Sequence, residues 1–413
     1  MDRTDRIDHA PRVPRQAQPT GTAEGPAGGV GVPVDLPDAG TLARRIARGE
    51  ASATGTVRDA LAAVERTSHL RAFTQVWAEE ALELATRIDA ALARGTDLPL
   101  AGVPLAVKAS EGTDSRQAQA LIAAGSVPIG STSVPGPGTE WKTWGRTDAG
   151  PTLNPWDGDA VPGGSSAGSA VAVAAGAVPW ATASDGAGST RIPAAWCGVS
   201  GYKPTTGLLP ARDRAGLTVG GPIARTVADL ELYRKVVLGA RPAPPPTRIR
   251  VAWSRTLGFN DPDPEVAQLA EQTLHRWARA SDAVEAVDAR VELTDPADSW
   301  FARRGDGDVQ DHDPVDRRNT RALAQLFSGF SGADLLATPT TPNPPHPHSG
   351  PGEVMSVGFT WLFNLTGHPA VSLPAGRTRR GLPVGLHLVA PHHADAALLS
   401  AARDAERCAG PAT

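Results

Sequence analysis

The segment that decides the fold spans residues 163–210 and has the sequence GGSSAGSAVAVAAGAVPWATASDGAGSTRIPAAWCGVSGYKPTTGLLP. It contains two glycine- and serine-rich loops, Gly163–Ser169 and Asp185–Thr190. An Ala/Val-rich helix at about 169–177 and a strand at 180–184 are predicted between them. Glycine is needed where the backbone turns tightly and presents bare N–H groups to an anion.

Ser189 closes the second loop, directly after Gly186, Ala187 and Gly188. Its hydroxyl therefore lies beside successive backbone amides, which is the arrangement of a nucleophile next to an oxyanion hole. Two glycine turns with capping serines would have the same sequence, and such turns outnumber catalytic ones. Both interpretations stay open on these residues alone.

A second serine motif, G-x-S-x-G, occupies residues 164–168 and would make Ser166 the nucleophile of a strand–turn–helix elbow. Its partners would be Asp334 and His368, which follow in the required chain order. Such an elbow needs a strand immediately before the serine. The preceding residues, NPWDGDAVP, are turn formers instead, which argues against this interpretation.

Outside this segment, predicted strands alternate with predicted helices. AGVPLAVKAS at 101–110 predicts a buried strand with one charge, Lys108. A proline-rich joint at 241–248 opens a second alternation of strands and helices. Within it, the stretch from about 281 to 318 is charged and poorly patterned, and residues 369–391 predict a β-hairpin. The other predicted helices are Arg116–Ala124, Pro264–Ala280, Asn319–Phe330, Ala394–Arg407 and one with a capping box of Thr56 and Asp59. The alternation indicates an α/β fold around a mixed central sheet.

The composition excludes several classes of protein. The 413 residues include 40 basic and 44 acidic side chains, a net charge of −4, which argues against a nucleic-acid-binding surface. Cys197 and Cys408 are too few for a disulfide framework or a four-cysteine zinc site. The 44 glycines and 38 prolines indicate a loop-rich chain and not a helical bundle.

The N-terminal residues and the histidines carry no predicted site. Residues 1–33 are Pro/Gly-rich without periodicity and predict a disordered tail ahead of one domain at 34–408. Neither a secretory signal nor a membrane span is expected, because no stretch is apolar enough, so a cytoplasmic location is predicted. No metal or cofactor is predicted from the histidines, which lack a carboxylate or cysteine partner in their loops: His346, His348, His392 and His393.

Three segments resemble the core of a known family, the amidase signature family: GVPLAVK at 102–108, GGSSAGS at 163–169 and DGAGSTRIPAAWCGVSGYKPT at 185–205. Other segments are similar to it in the same order: GPIARTVADLELY at 221–233, ADLLATPTTP at 333–342, and FNLTGHPAVSLPAG with GLPVGLHLVA within 363–390. The resemblance covers roughly residues 38–408. It implies a single domain in which helices flank both faces of a mixed, twisted sheet.

The resemblance implies a serine–serine–lysine triad, with Ser189 as nucleophile, Ser165 as a bridging serine held by a cis peptide bond, and Lys108 as base. The residues agree with this assignment. A serine hydroxyl attacks only when a neighbour takes its proton, and lysine can do so once burial lowers its pKa. Ser165 can accept from one side and donate to the other. The expected oxyanion donors are the amides of Gly186, Ala187, Gly188 and Ser189.

Other residues are expected to support this site. Asp185 and Arg191 would pair and brace the second loop, and Ser166 would act as a loop or helix cap. An acyl pocket could be lined by three aromatic residues that otherwise belong to the core: Phe359, Trp361 and Phe363.

Three features depart from the family pattern. Ala109 follows Lys108 where the family usually has Asp, and Ala167 and Ala187 stand where it usually has glycine. The segments between Lys108 and Ser165 and between about 254 and 330 are shorter than in the family. Since these regions wall off the acyl-enzyme, their shortening predicts a wider mouth that admits amine nucleophiles or a bulky acyl group.

The predicted function is therefore an amidase that attacks a small-molecule amide through an acyl-enzyme, which water or an amine resolves. No cofactor, nucleic acid or membrane is implied, and a homodimer is allowed for. Two alternatives remain. One is an amidotransferase subunit that releases ammonia for a partner, and the other is a non-catalytic amidase-like binding protein.

Overall fold

A computed structural model of the protein describes residues 37–137, 139, 142–241, 243–245, 247–287, 291–305, 314–328 and 332–409. The predicted disordered tail, residues 1–33, lies outside the described residues, as do the first residues of the predicted domain and Phe330 at the end of a predicted helix.

The described residues form one mixed sheet of eleven strands and a separate two-stranded ribbon, β4–β5. The strands are β1 (Phe73–Val76), β2 (Pro104–Lys108), β3 (Val127–Thr132), β4 (Arg146–Thr147), β5 (Gly150–Pro151), β6 (Trp180–Asp185), β7 (Ser200–Lys203), β8 (Val219–Ala224), β9 (Ile249–Trp253), β10 (Val284–Val287), β11 (Leu335–Pro339), β12 (Ala370–Arg377) and β13 (Pro383–Val389). Their order in the large sheet is β1-β3-β2-β6-β8-β7-β12-β13-β11-β9-β10.

The sheet is mixed because parallel groups lie on either side of an antiparallel centre. Strand β2 is parallel to both β3 and β6, and β9 is parallel to both β10 and β11. The strands from β6 through β8, β7, β12 and β13 to β11 pair antiparallel, as do β1 and β3. The predicted hairpin is confirmed as β12–β13, and the predicted mixed sheet is confirmed with it.

Twelve α-helices are described around this sheet, with a short 3₁₀ turn at Ser68–Leu70. They are α1 (Ala39–Ala47), α2 (Ala53–Arg66), α3 (Ala78–Ala93), α4 (Arg116–Ala123), α5 (Ala167–Ala174), α6 (Arg191–Cys197), α7 (Val227–Leu238), α8 (Pro264–Ala280), α9 (Ala297–Arg304), α10 (Pro314–Ser328), α11 (Leu362–Leu365) and α12 (Asp395–Ala409).

Both faces of the sheet are covered by helices. Along β2, Leu105 and Val107 belong to one hydrophobic cluster and Ala106 belongs to another, as the alternation of side chains along a strand requires. The first cluster includes residues of α4, α7, α8 and α12, and the second includes residues of α2, α3 and α5. A strand buried on both faces has the near-continuous apolar sequence that β2 shows.

Two local predictions were wrong. Helix α2 begins at Ala53, with Ser52 as its N-cap, so Thr56 lies inside the helix and its hydroxyl donates to Ser52 O at 3.0 Å. The stretch from about 281 to 318, expected to be poorly patterned, contains β10, α9 and the start of α10. Elsewhere the predicted elements are present with shifted ends.

Candidate active site

Lys108 is the last residue of β2, and its side chain is buried to 1% exposure beneath a cavity. Its Nζ donates to Ser165 Oγ at 2.9 Å, to Ser184 Oγ at 3.0 Å and to Ser184 O at 3.3 Å. Its backbone N–H donates to Thr182 Oγ1 at 2.9 Å, which ties the end of β2 to the neighbouring β6. The amine is therefore held at the carboxyl ends of two parallel strands.

Burial lowers the pKa of Lys108 to about 8, although the charges of Glu111 and Asp185 act in the opposite direction. A second buried lysine, Lys203, also has a pKa lowered by burial, to about 7. Its Nζ donates to Pro204 O at 3.0 Å, and it is not among the residues that line the cavity. Lys108 is thus the buried lysine that reaches the cavity.

Ser165 lies in the loop before α5, after a cis peptide bond between Gly164 and Ser165, as the resemblance implied. Glycine is required at 164, because a Cβ there would lie against the carbonyl oxygen of Lys142. Ser165 is half-buried and lines the cavity. Its hydroxyl thus links Lys108 to the cavity.

Ser189 lies in the loop between β6 and α6, is half-buried, and lines the same cavity, whose volume is about 700 Å³. Among the described residues its hydroxyl has no hydrogen-bond partner. Ser165, Lys108 and Ser189 are therefore brought to one cavity, with Lys108 bonded to Ser165 and the hydroxyl of Ser189 free.

Three carbonyl groups of the second loop accept hydrogen bonds from donors elsewhere in the chain. The bonds are Trp300 Nε1 to Gly186 O at 3.0 Å, Thr360 Oγ1 to Ala187 O at 2.5 Å and Ser166 N to Ser189 O at 3.3 Å. Within the described part of the chain, the N–H groups of Gly186, Ala187 and Ser189 have no hydrogen-bond partner. Fixed donors of this kind are what an oxyanion requires.

Gly188 differs from the expectation that its amide is an oxyanion donor. Its N–H donates to Asp185 Oδ1 at 2.7 Å and is therefore occupied. Its φ of +127° and the approach of Thr360 Oγ1 both require glycine here. Ala187 is not among the residues with positive φ, so alanine fits at that position without strain.

The Asp185 carboxylate and the Arg191 guanidinium form a buried, bidentate ion pair, as expected, with both side chains at 0% exposure. Arg191 Nη2 donates to Asp185 Oδ1 at 2.8 Å, and Nε donates to Oδ2 at 2.9 Å. Asn364 Nδ2 donates to Asp185 O at 2.7 Å and to Oδ1 at 3.1 Å. Burial alone would raise the pKa of Asp185, but the charge and hydrogen bonds of Arg191 outweigh burial and hold it below its usual range.

Replacing Asp185 with asparagine should destabilise the fold by about 3–5 kcal/mol, because it leaves the buried charge of Arg191 without its partner. Urea unfolding measures this loss. Arg248→Gln, which removes an exposed pair with Glu285, is the control and should cost less than about 1 kcal/mol. Equal effects of the two variants would show that the buried pair does not brace the loop.

One of the three aromatic residues expected to line the cavity does so. Trp361 lines the cavity, whereas Phe359 and Phe363 are fully buried in a hydrophobic cluster and do not line it. The outer wall comes instead from α9, whose contributions the sequence analysis missed: Trp300, Phe301 and Arg304. Arg304 lies over the Trp300 ring, 5.0 Å from its centroid.

Ser166 does not have the environment of an exposed nucleophile. It is fully buried, its hydroxyl donates to Ser184 O at 3.5 Å, and it does not line the cavity. Asp334 accepts from Arg250 N, and His368 interacts with Thr366, so neither reaches Ser166. The elbow interpretation is therefore contradicted.

The histidines considered as metal ligands lie in separate places. His346 packs against Trp196 with ring centroids 5.4 Å apart, and His348 packs against Trp144 at 5.5 Å. His392 and His393 lie near the start of α12. Among the residues that the structure describes, no group of three or more His, Cys, Asp or Glu could hold a metal ion. No described helix is long and apolar enough to cross a membrane.

Comparisons with known proteins agree with this architecture. The family model "Amidase" matches residues 109–304 and 307–399, a range that includes Ser165 and Ser189 and begins one residue after Lys108. The chain is 34% identical to the putative amidase AmiB2 of Mycobacterium tuberculosis, covering 91% of this chain and 97% of that one. It is 30% identical to a glutamyl-tRNA(Gln) amidotransferase subunit of Chromohalobacter salexigens, covering 87% of this chain and 94% of that one.

A solved structure shows the same fold. The crystal structure of a bacterial aryl acylamidase of the amidase signature enzymes superposes with a TM-score of 0.74 at 23% identity, covering 90% of this chain and 96% of that chain. The family match, the extent of the identity with AmiB2 and this common fold lead to one conclusion. The chain belongs to the amidase signature family, whose enzymes act on amide C–N bonds.

Proposed function

We propose that the protein is an amidase in which Ser189 attacks the carbonyl carbon of a small-molecule amide, with Ser165 and Lys108 removing its proton. The observation that supports this most strongly is the 2.9 Å bond between Lys108 Nζ and Ser165 Oγ at the base of the cavity that Ser189 lines.

The three contacts of Lys108 Nζ match the three N–H groups of the ammonium form, and the base forms when the proton that faces Ser165 is lost. A neutral amine has two N–H groups and one lone pair, and Nζ has three neighbours, Ser184 O, Ser184 Oγ and Ser165 Oγ. With both N–H groups donated to Ser184, the lone pair faces the hydroxyl of Ser165. Ser165 then donates to Lys108 and accepts from Ser189 once the free hydroxyl of Ser189 turns toward it.

The reaction then follows from these groups. As the Ser189 oxygen bonds to the carbonyl carbon, its proton passes to Ser165 and the proton of Ser165 passes to Lys108. The amides of Gly186, Ala187 and Ser189 stabilise the oxyanion. Collapse of the intermediate breaks the C–N bond, and the proton on Lys108 returns through Ser165 to the leaving nitrogen. Water or an amine resolves the acyl-enzyme by the same steps.

A second candidate function is the release of ammonia for a partner protein. Similarity to an amidotransferase subunit over 87% of this chain favours it. The chemistry at Ser189 would be the same with glutamine as the amide. A non-catalytic binding protein is less consistent with the contact between Lys108 and Ser165 and with the lowered pKa of Lys108.

The test is the mass of the intact protein after incubation with a panel of amides that includes glutamine. We expect the mass to increase by one acyl group, on the peptide that contains Ser189, and a fluorophosphonate should label the same residue. Hydroxylamine and a graded series of amines should release the acyl group, which measures transfer against hydrolysis. A protein that no fluorophosphonate labels and no amide acylates would be a binding protein.

We propose that the protein acts in the cytoplasm on small amides, without nucleic acid or membrane, as one domain at 34–408 that can form a homodimer.

A further inference from the structure

Glu111 is a buried carboxylate on the wall of the catalytic cavity. Its side chain is 5% exposed, and it also lines an adjoining side cavity of about 150 Å³. It follows Lys108 in a turn in which the N–H of Glu111 donates to Lys108 O at 2.9 Å. The negative charge of Glu111 opposes the lowering of the Lys108 pKa by burial.

A single hydrogen bond anchors this carboxylate. Gln117 Nε2 donates to Glu111 Oε2 at 3.2 Å and to Ala183 O at 2.9 Å, while Gln117 Oε1 accepts from Tyr233 at 2.8 Å. These contacts fix which end of the Gln117 amide faces Glu111. Among the described residues, Glu111 Oε1 forms no hydrogen bond, and Glu111 has no cation within 4.0 Å.

The other charges on the walls are paired or hydrated. Arg212 pairs with Asp114 at 3.5 Å, and Arg304 lies 3.9 Å from Asp213. The cationic side chains at the rims are all exposed to water: Arg116, Lys142, Arg212 and Arg304. Lys108 is the buried cation on which the charge of Glu111 acts, and Lys108 must be neutral when it acts as a base.

Burying a carboxylate without a cation beside it costs free energy, and this cost is present when Lys108 is in the neutral form that acts as a base. A cationic donor on the substrate would remove it. We propose that Glu111 binds an ammonium group of the substrate, so that the preferred amides carry a basic nitrogen beside the amide that is cleaved. This inference rests on the proposed function of the same cavity.

The test compares ω-ammonio alkanamides, graded in chain length, with alkanamides in which a methyl group replaces the ammonium. The measurement is the concentration of each amide that halves the rate at which a fluorophosphonate labels Ser189. In the native protein we expect the best ammonium compound to protect at a concentration at least about tenfold lower than its neutral counterpart.

In Glu111→Gln this ratio should fall to about one, since the amide keeps the shape and the contact with Gln117 but loses the charge. Glu111→Asp keeps the charge, withdraws it by one methylene and should give an intermediate ratio. Asp213→Asn is the matched control. It removes another carboxylate from the same cavity, and this carboxylate already lies beside a cation, Arg304. It should keep the preference for ammonium. Thermal unfolding shows whether each variant is folded.

Three outcomes would overturn the inference. The native protein could show no preference, Glu111→Gln could keep it, or Asp213→Asn could remove it equally. If Glu111 only shifted the pKa of Lys108, its replacement would change the labelling rate equally for the ammonium and the neutral amides. The ratio of their protecting concentrations would then stay the same. Failure of the native protein to be labelled at all would instead contradict the proposed function.

Discussion

Replacing Ser189 with alanine should reduce kcat by at least about 10⁴-fold and leave the fold intact. The hydroxyl has no hydrogen-bond partner among the described residues and faces the cavity, so its removal breaks no described contact. The carbonyl of residue 189 still accepts from Ser166 N, which keeps the loop in place. Steady-state rates on the best amide of the panel, together with thermal unfolding, measure the two effects.

Ser166→Ala is the matched control for this prediction. It removes the same atom from the neighbouring loop, where the hydroxyl is buried and makes only a 3.5 Å contact with Ser184 O. We expect this variant to stay within about tenfold of the native rate. An active Ser189→Ala beside an inactive Ser166→Ala would instead make Ser166 the nucleophile.

The resemblance to the amidase signature family grouped Lys108, Ser165 and Ser189, and the structure brings these three residues to one cavity. The sequence could not tell which amides of the second loop are free. That depends on the Asp185 carboxylate, which accepts from Gly188, and on the Trp300 side chain, which holds the carbonyl of Gly186. Donors and acceptors from distant segments decide such orientations.

Glu111 was missed for a related reason. It is one acid among many in the sequence, and its importance comes from a turn that returns it to Lys108. An acid three residues after a strand-ending lysine is a signal that could have found it. The aromatic residues show the same limit, since Trp361 lines the cavity and Phe359 and Phe363 do not, although all three are close in sequence.

The α/β class and the β12–β13 hairpin were predictable, because alternation along a strand is visible in a single segment. The order of strands was not, since pairing of β2 with β6 joins segments far apart in the chain. Helix α9 was missed because it buries little of itself, and Phe301 stays 54% exposed. A helix without a buried stripe has no strong periodic signal.

Lys108→Arg should be nearly as damaging as Lys108→Ala, with each variant losing about 10²–10⁴-fold in kcat/KM. Arginine keeps the positive charge but does not lose its proton at any working pH. The proposed mechanism needs the neutral amine, so below the lysine pKa of about 8 the native rate should rise about tenfold per pH unit and level off above it. That limb of the pH profile should be absent from the arginine variant.

Rescue by added amines separates a base from an electrostatic anchor. In Lys108→Ala a small primary amine can occupy the vacated space beside Ser165 and Ser184, and the recovered rate should follow the concentration of its free base. A cationic anchor would be restored by the protonated amine, and it would tolerate arginine. Since Lys108 is 1% exposed, arginine could also disturb packing, so thermal unfolding must accompany the rates. A folded arginine variant that stays active would remove the general base from the mechanism, whereas inactivity with free-base rescue of the alanine variant requires a proton acceptor at this position.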